Sequence, residues 1–531
     1  MRPTLAAAPL ALALAFALGA ALQAPPLQAQ ERRQLPDIGS SAGAVLSPAE
    51  QAEYGAMTLS QLRNYDYVLE DPLIAGWLQS LGQRLGAHSD DPRQPFTFFM
   101  LRDREINAFA TLGGYIGVNA GLVLEADSED EVAAVISHEI AHVTQEHVLR
   151  AVEQAQRDQL PVLLAMLGTI IASQHSSSNS RDDAVMAAVV GAQGLMAQRQ
   201  IDYTRSNEAE ADRIGIRTLA RTGYEPEAMA GFFEKLQAVV RSTQTRESMP
   251  DYLRTHPVTT TRISEARDRA RQIADNGAGF VPASRALDNP LLPASLSISP
   301  GTASGAGSEF AWARERLRVL SANTPAAAVR EYERLARAGE LDDAQRYGFA
   351  LAHYLDGSPA QAARELGTLL ERHPGEPWLE LALAQAQARA GNIEAADARF
   401  EALHARMPRS RAVALTYAAT LNERNTREAG QRAQALLRPL LNSAGDDPSF
   451  QLTFARASEI AGDPVRAGEA YAEAEFLNGR PERALVQLGL LKKRDDLDYY
   501  ARARIDARIA AITPVVLELH RQGIRDKDLE R

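Results

Sequence analysis

Cysteine is absent from all 531 residues. That absence removes disulfides, thiolate metal ligands, a cysteine nucleophile and a lipid-carrying N-terminal cysteine together, so any metal must be held by His, Asp or Glu. No block of Lys and Arg occurs either, and the formal net charge is −11. Phosphate backbones are bound through clustered positive charge, so nucleic acid is not an expected partner. The N-terminal apolar run, Pro9 to Leu22, falls short of the roughly 20 residues a bilayer-spanning helix needs. It follows Arg2 and the free amine and precedes the small, polar stretch Gln23 to Ala29, so residues 1–29 read as a secretory signal cut near Ala29. An uncleaved anchor is the other reading. An exported chain without cysteine fits a bacterial periplasm better than an extracellular disulfide scaffold.

What is present is ordinary for a soluble globular protein, 45% hydrophobic and 24% charged residues, in a chain long enough for two or three domains. Residues 31–271 mix helical patterns with one strand-like stretch. Residues 272–308 read as a linker, rich in Gly, Pro, Ala and Ser from about Asn276 (Pro282, Pro290, Pro293, Pro300, Gly301, Gly305, Gly307). Residues 309–531 are rich in Ala, Leu and Arg with helical spacing throughout.

That last zone repeats. Gly357 to Gly391, Leu369 to Leu403 and Pro374 to Pro408 are each 34 positions apart. A 34-residue helix–turn–helix period is the tetratricopeptide signature, Gly permitting the tight turn and Pro ending the second helix. A third turn, Ala461 to Ala467, falls out of strict register, which leaves the repeat number open. The fold class expected is mainly α, an α+β domain followed by an α-helical repeat solenoid whose concave surface suits protein segments.

The chemistry sits in Ser128 to His142. Ser128 followed by Glu131 predicts a capping box, and apolar residues at 132, 135, 136, 140 and 143 form a core-facing stripe. His138 and His142, four apart, share one face and can bind one Zn²⁺. Glu139 beside them completes H-E-x-x-H and can take a proton from metal-activated water. The bland alternative is a pair of helix histidines bonded to backbone or water. Catalytic zinc keeps three protein ligands. Glu208 is assigned as the third, with Asp212 on the same face placed to accept the outer N–H of a zinc-binding histidine. Asn207 and Glu210 suggest a second capping box and Gly223 a C-terminal cap, with Glu210 pointing into solvent. Without the first motif, Glu208 and Asp212 would read as a surface pair. His147, nine residues after His138 and so about 180° round a continuous helix, is expected not to share the metal and reads as solvated or structural.

Upstream, Asn107 to Asn119 carries a Gly-Gly turn and a short β-type run, either a core strand or an exposed one that holds extended substrate by backbone pairing. Apolar stretches 160–172 and 184–197 bracket the polar loop 173–183 and suggest a helical hairpin near the cleft, either buried or facing a membrane as a peripheral contact, with the loop as a movable lid. The oxyanion-stabilising group is open, with Arg and Tyr near 203–205 or 252–254 as the candidates.

His138-Glu139-Ile140-Ala141-His142, Glu208-Ala209-Glu210-Ala211-Asp212 and Asn107-Ala108-Phe109-Ala110 together resemble the HtpX-like and CAAX-endopeptidase-like zinc metallopeptidases, here with tetratricopeptide repeats added. The resemblance implies a gluzincin fold, one zinc, degradation of misassembled outer-membrane β-barrel proteins, and repeats that dock on the barrel-assembly machinery or its clients. It also implies that His256, in Thr255-His256-Pro257, can occupy the zinc's open position and hold the enzyme latent. A surface histidine ahead of a turn proline is the alternative. The rival function is a chaperone or assembly scaffold with a latent or vestigial metal site.

Overall fold

The structure is a computed structural model that describes residues 46–151, 153, 204–242, 251–275 and 306–521. The predicted signal segment, the two apolar stretches with their polar loop, and positions 276–305 lie outside those residues. Pro48–Arg531 form one compact unit.

Helix α1 (Pro48–Asn64) is followed by α2 (Pro72–Ala87). Asp71 starts α2 by accepting from the backbone N–H of Leu73 and Ile74, and Pro72 costs nothing at the first helical position. Ile74, Trp77, Leu78, Leu81 and Leu85 recur at helical spacing and are all buried. A three-stranded sheet follows: β1 (Thr97–Leu101), β2 (Ala108–Ala110) and β3 (Tyr115–Asn119), in the order β1-β3-β2. β1 runs parallel to β3 and β2 antiparallel to it. The β-type run of the sequence is β3, the central strand. Its backbone is paired on both sides, so it cannot receive a substrate strand; the edge beside the metal helix is β2. Short helix α3 (Ala120–Glu125) leads to α4 (Glu129–Thr144).

Helix α4 is buried almost all round, not along one stripe alone, because α2, β2 and later helices surround it. Its first-turn Glu129 is satisfied by Trp77 Nε1 at 3.1 Å, Arg84 Nη2 at 3.0 Å and Tyr224 Oη at 2.7 Å. Helix α5 occupies 204–222, then come α6 (Glu227–Ser242), α7 (Asp251–Thr255) and α8 (Thr260–Asp275). α8 runs four residues past Arg271, and Ile273 there still packs against the core.

The described residues resume as α9 (Ala306–Leu320), α10 (Pro325–Ala338), α11 (Asp343–Leu355), α12 (Pro359–Arg372), α13 (Pro377–Arg389) and α14 (Ile393–Arg406). The series continues with α15 (Arg411–Glu423), α16 (Arg427–Leu437), α17 (Pro448–Ala461), α18 (Pro464–Leu477), α19 (Pro481–Lys492) and α20 (Tyr499–Arg521). The three turn glycines expected from the sequence, Gly357, Gly391 and Gly462, have φ of +87°, +90° and +83°, values that a side chain would strain. Spacing slips after Pro408 because a 3₁₀ turn (Arg438–Leu440) and the stretch to Asp447 lengthen the connection between α16 and α17.

The solenoid is not a separate body. Helix α9 packs against α2, α3 and α4, and one hydrophobic core runs from Leu69 through Trp77 and Phe310 to Ala386. Farther along, Ser60 Oγ on α1 donates to the Leu477 carbonyl at 3.1 Å and Arg480 Nε to Asn64 Oδ1 at 2.9 Å. The repeats thus curl back onto the domain they follow. Among the described residues, no helix is long and apolar enough to cross a membrane.

Candidate metal centre

Ser128 caps α4 as expected, its Oγ accepting from Glu131 N at 3.4 Å. The capping box is only half formed, because Glu131 reaches one residue farther back, to Asp127 N at 2.7 Å, and also meets Lys235. Helix α5 is already helical at 204, so Asn207 and Glu210 do not start it; Gly223, at φ +89°, does end it. The α4–α5 crossing is close because its residues are small. Ala141 and Ala211 pack with Ile214, and a Cβ on Gly215 would stand 3.1 Å from the His138 backbone. That approach brings Glu208 and Asp212 within reach of the α4 histidines.

Among the described residues, the donor atoms of His138, His142, Glu208 and His256 all lie within 4.8 Å of one another, and all four residues are buried. His138 Nε2 is 3.0 Å from His142 Nε2 and 3.4 Å from His256 Nδ1. Glu208 stands 3.4 Å from each α4 histidine and 2.9 Å from His256 Nδ1. Nitrogen and oxygen ligands about 2.0–2.1 Å from one tetrahedral centre would lie roughly 3.3–3.4 Å apart. The observed edges of 2.9–3.4 Å therefore fit a single small cation. Charge agrees: Glu139, Glu208 and Asp212 crowd a buried space in which Arg262 is the matching fixed cation, and a divalent ion offsets the two charges left over.

Asp212 Oδ1 lies 3.0 Å from His138 Nδ1, in the supporting position the spacing predicts. Glu139 is 1% exposed, and its Oε1 lies 3.7 Å from His256 Nε2. His256 is carried at the end of α7, its ring stacked on Tyr252 with centroids 4.7 Å apart.

Three side chains depart from the sequence reading. His147 is buried, with Nδ1 2.8 Å from His142 Nδ1. The angular argument fails because α4 stops at Thr144 and Glu146 turns the chain through φ +52° before helix resumes, although His147 stays outside the four-donor group as expected. Glu210 is not simply solvated: its Oε2 meets His147 Nε2 at 3.2 Å and Arg150 Nη1 at 3.4 Å. Arg262 is the residue the sequence reading missed. Nε and Nη2 donate to Asp212 at 2.7 and 2.8 Å, and Nη1 is 2.8 Å from Glu208 Oε2. The signal available was chemical, three carboxylates gathering without a nearby cation. Of the oxyanion candidates, Arg205 and Arg254 are exposed and Tyr203 lies outside the described residues, whereas Tyr252 is buried with its ring stacked on His256.

The electrostatics follow from burial and pairing. Burial opposes a charge on His138, but Asp212 and Glu208 outweigh it and hold its pKa up to about 10. Burial keeps His142 neutral, its pKa lowered to about 3. Burial also opposes charge on Glu208, yet the three histidines hold it well below the usual carboxylate range. Asp212 is likewise lowered, by His138 and Arg262 against its burial. Glu139 is raised by burial, only partly offset by His256 and His138.

Comparison with known proteins accounts for both regions of the chain. The model of peptidase family M48 matches residues 72–270, and a tetratricopeptide repeat model matches 353–420, the span of the two in-register repeats. The chain is 30% identical over 494 residues to the β-barrel assembly-enhancing protease of Escherichia coli K12, covering 92% of this chain and 93% of that one. Its counterpart in Yersinia pestis is 32% identical over 481 residues, 90% of each. Metalloprotease LoiP of Escherichia coli K12 is 33% identical over 179 residues, 33% of this chain and 63% of that one. Peptidases of this family are zinc-dependent, which the buried His, His, Glu and His donors suit. With the peptidase region, the repeats and nearly the whole length accounted for, the chain belongs to peptidase family M48, among the relatives named β-barrel assembly-enhancing protease.

Proposed function

We propose that this metallopeptidase works in the periplasm, exported by residues 1–29, and degrades misassembled outer-membrane β-barrel proteins, with its repeats docking on those clients or on the barrel-assembly machinery. The observation that carries the reading is the four-donor group with Glu139 beside it, an intact centre rather than a vestigial one. His138, His142 and Glu208 would hold zinc, and the relatives' name supplies the substrate class. Bound zinc supplies Lewis-acid polarisation of a water and of the scissile carbonyl. Glu139 takes the proton from the attacking water and passes it to the leaving amine. Its burial favours proton uptake, and Ala110 N–H on β2 helps hold its carboxylate. An extended client lying along edge strand β2 would pass directly before Glu139. Tyr252, buried and stacked on His256, is the better-placed donor to a developing oxyanion, while Arg262 is committed to Asp212 and Glu208.

One cleft supports a protein-binding role for the repeats. A cleft between α2 and the repeats is lined by Glu70, Gln79, Gln83, Phe98, Arg411 and Asp446, away from the four-donor group. His256 acts as a latch in this reading, filling the position a water would need. The deciding experiment combines zinc content with cleavage of an unfolded β-barrel client by wild type and Glu139→Gln. Stoichiometric zinc in both, with cleavage lost only in the variant, supports the peptidase. Client rescue undiminished in Glu139→Gln would move the function to the scaffold.

A further inference from the structure

His142 and His138 are not supported alike. His138 turns Nδ1 to a carboxylate, Asp212. His142 turns Nδ1 to another imidazole: His147 Nδ1 is 2.8 Å away, with the rings nearly perpendicular (77°) and their centroids 4.7 Å apart. His147 is 3% exposed and meets Glu210 Oε2 through Nε2 at 3.2 Å. Glu210 in turn is held by Arg150 Nη1 at 3.4 Å and Arg213 Nη2 at 3.7 Å.

Hydrogen-bond bookkeeping fixes the protons along this chain. One hydrogen lies between the two facing Nδ1 atoms. If it belonged to His147, a neutral His142 would carry its own hydrogen on Nε2, the atom aimed at the metal centre, and could not ligate. A ligating His142 must carry its hydrogen on Nδ1 and donate it to His147. His147 Nδ1 then accepts, so the hydrogen of His147 sits on Nε2 and is donated to Glu210. The carboxylate at the far end thereby selects the tautomer of both rings.

We propose that His147 is a positioning residue for zinc, carrying the orienting effect of Glu210 to His142 across an interposed imidazole. The backbone supports this arrangement. Glu146 at φ +52° ends α4 and brings His147 back toward His142, a conformation that a non-glycine residue adopts at a cost. The inference rests on the proposed role of His142 as a ligand and goes beyond it, since His147 itself lies outside the four-donor group.

The test measures zinc affinity by chelator competition, and the visible spectrum of the cobalt-substituted full-length protein, for wild type, His147→Leu, His147→Asn, Glu210→Gln and His142→Ala. Loss of a partner to a metal-binding histidine costs about 10–100-fold in affinity. His147→Leu should show that loss with an altered cobalt spectrum. His147→Asn, whose amide oxygen can still accept from His142, should recover part of it. Glu210→Gln, at a half-buried site where folding is not at risk, should fall between wild type and His147→Leu. Wild-type affinity and an unchanged cobalt spectrum in His147→Leu, or in Glu210→Gln if the leucine variant does not fold, overturn the relay. Wild-type affinity in His142→Ala overturns the ligand role beneath it, so the two failures are told apart.

Discussion

His138 Nδ1 and Asp212 Oδ1 stand 3.0 Å apart, and Arg262 grips the same carboxylate with two parallel N–H bonds of 2.7 and 2.8 Å. Arg262 also meets Glu208, so a single guanidinium sets the attitude of the expected third ligand and of the partner of the first. Asp212→Asn keeps the shape but removes the charge that makes His138 a stronger donor. Zinc affinity should fall about 10–100-fold. Chelator competition checks this, and an unchanged affinity would show that the pair is incidental.

His256 sits 2.9 Å from Glu208 and 3.4 Å from His138 while its other nitrogen faces Glu139. In the proposed reading it would there compete with both the substrate carbonyl and the water that Glu139 would deprotonate. His256→Ala should therefore raise the rate of peptide cleavage several-fold while zinc content stays stoichiometric. Unchanged or lower cleavage of a quenched peptide by the alanine variant would reject the latch.

Zinc uptake should be strongly pH-dependent. Without metal, His138 is held protonated up to about pH 10 by Asp212 and Glu208, whereas His142 is neutral above about pH 3. With His138 as the proposed ligand, zinc would have to expel its proton, so apparent affinity should rise about tenfold per pH unit between about pH 7 and 9. Glu139→Gln removes a second raised group, a carboxyl lifted by burial, and is the background in which to measure the slope. The stability of the metal-free protein runs the opposite way. A histidine raised on folding stabilises the metal-free protein fully below its ordinary pKa near 6.5, and that contribution fades as pH climbs through about 10. A pH-independent affinity would contradict the pairing.

The sequence disclosed the parts of the site that local rules control. Four-residue spacing put His138 beside His142 and Glu208 beside Asp212, and both pairs converge as read. The turn glycines of the repeats were legible for the same reason, since φ near +90° leaves a mark in residue type. What stayed hidden depends on distance through space. Arg262 acquires meaning only once α8 is packed beside α5, and no spacing rule links it to Glu208. The place of His147 depends on the break at Gln145 and Glu146, which no proline or glycine announces, so extrapolating α4 put the ring on the wrong side. The central position of β3 required β1, a five-residue strand with no alternation to reveal it, burying four consecutive side chains.

The union of peptidase and repeats rests on a buried ion pair whose two halves are unequal. Arg316 on α9 donates to Asp71 through Nε at 2.8 Å and Nη2 at 2.6 Å, and through Nη1 to Tyr347 Oη at 3.1 Å. Asp71 is also the cap of α2, accepting from Leu73 N and Ile74 N. If Asp71 is removed, the guanidinium remains buried with only the tyrosine hydroxyl, and α2 loses its cap as well. If Arg316 is removed, Asp71 keeps two backbone donors at a helix N-terminus, where negative charge is favoured. Breaking a buried pair from one side costs about 3–5 kcal/mol. Asp71→Ala should sit at the upper end of that range and Arg316→Met, which preserves apolar packing, well below it. Urea unfolding of the full-length chain, followed by protease sensitivity of the α2–α9 contact, measures both. Equal losses, or a larger loss in Arg316→Met, would mean that the cap contributes little and that arginine, not aspartate, anchors the junction.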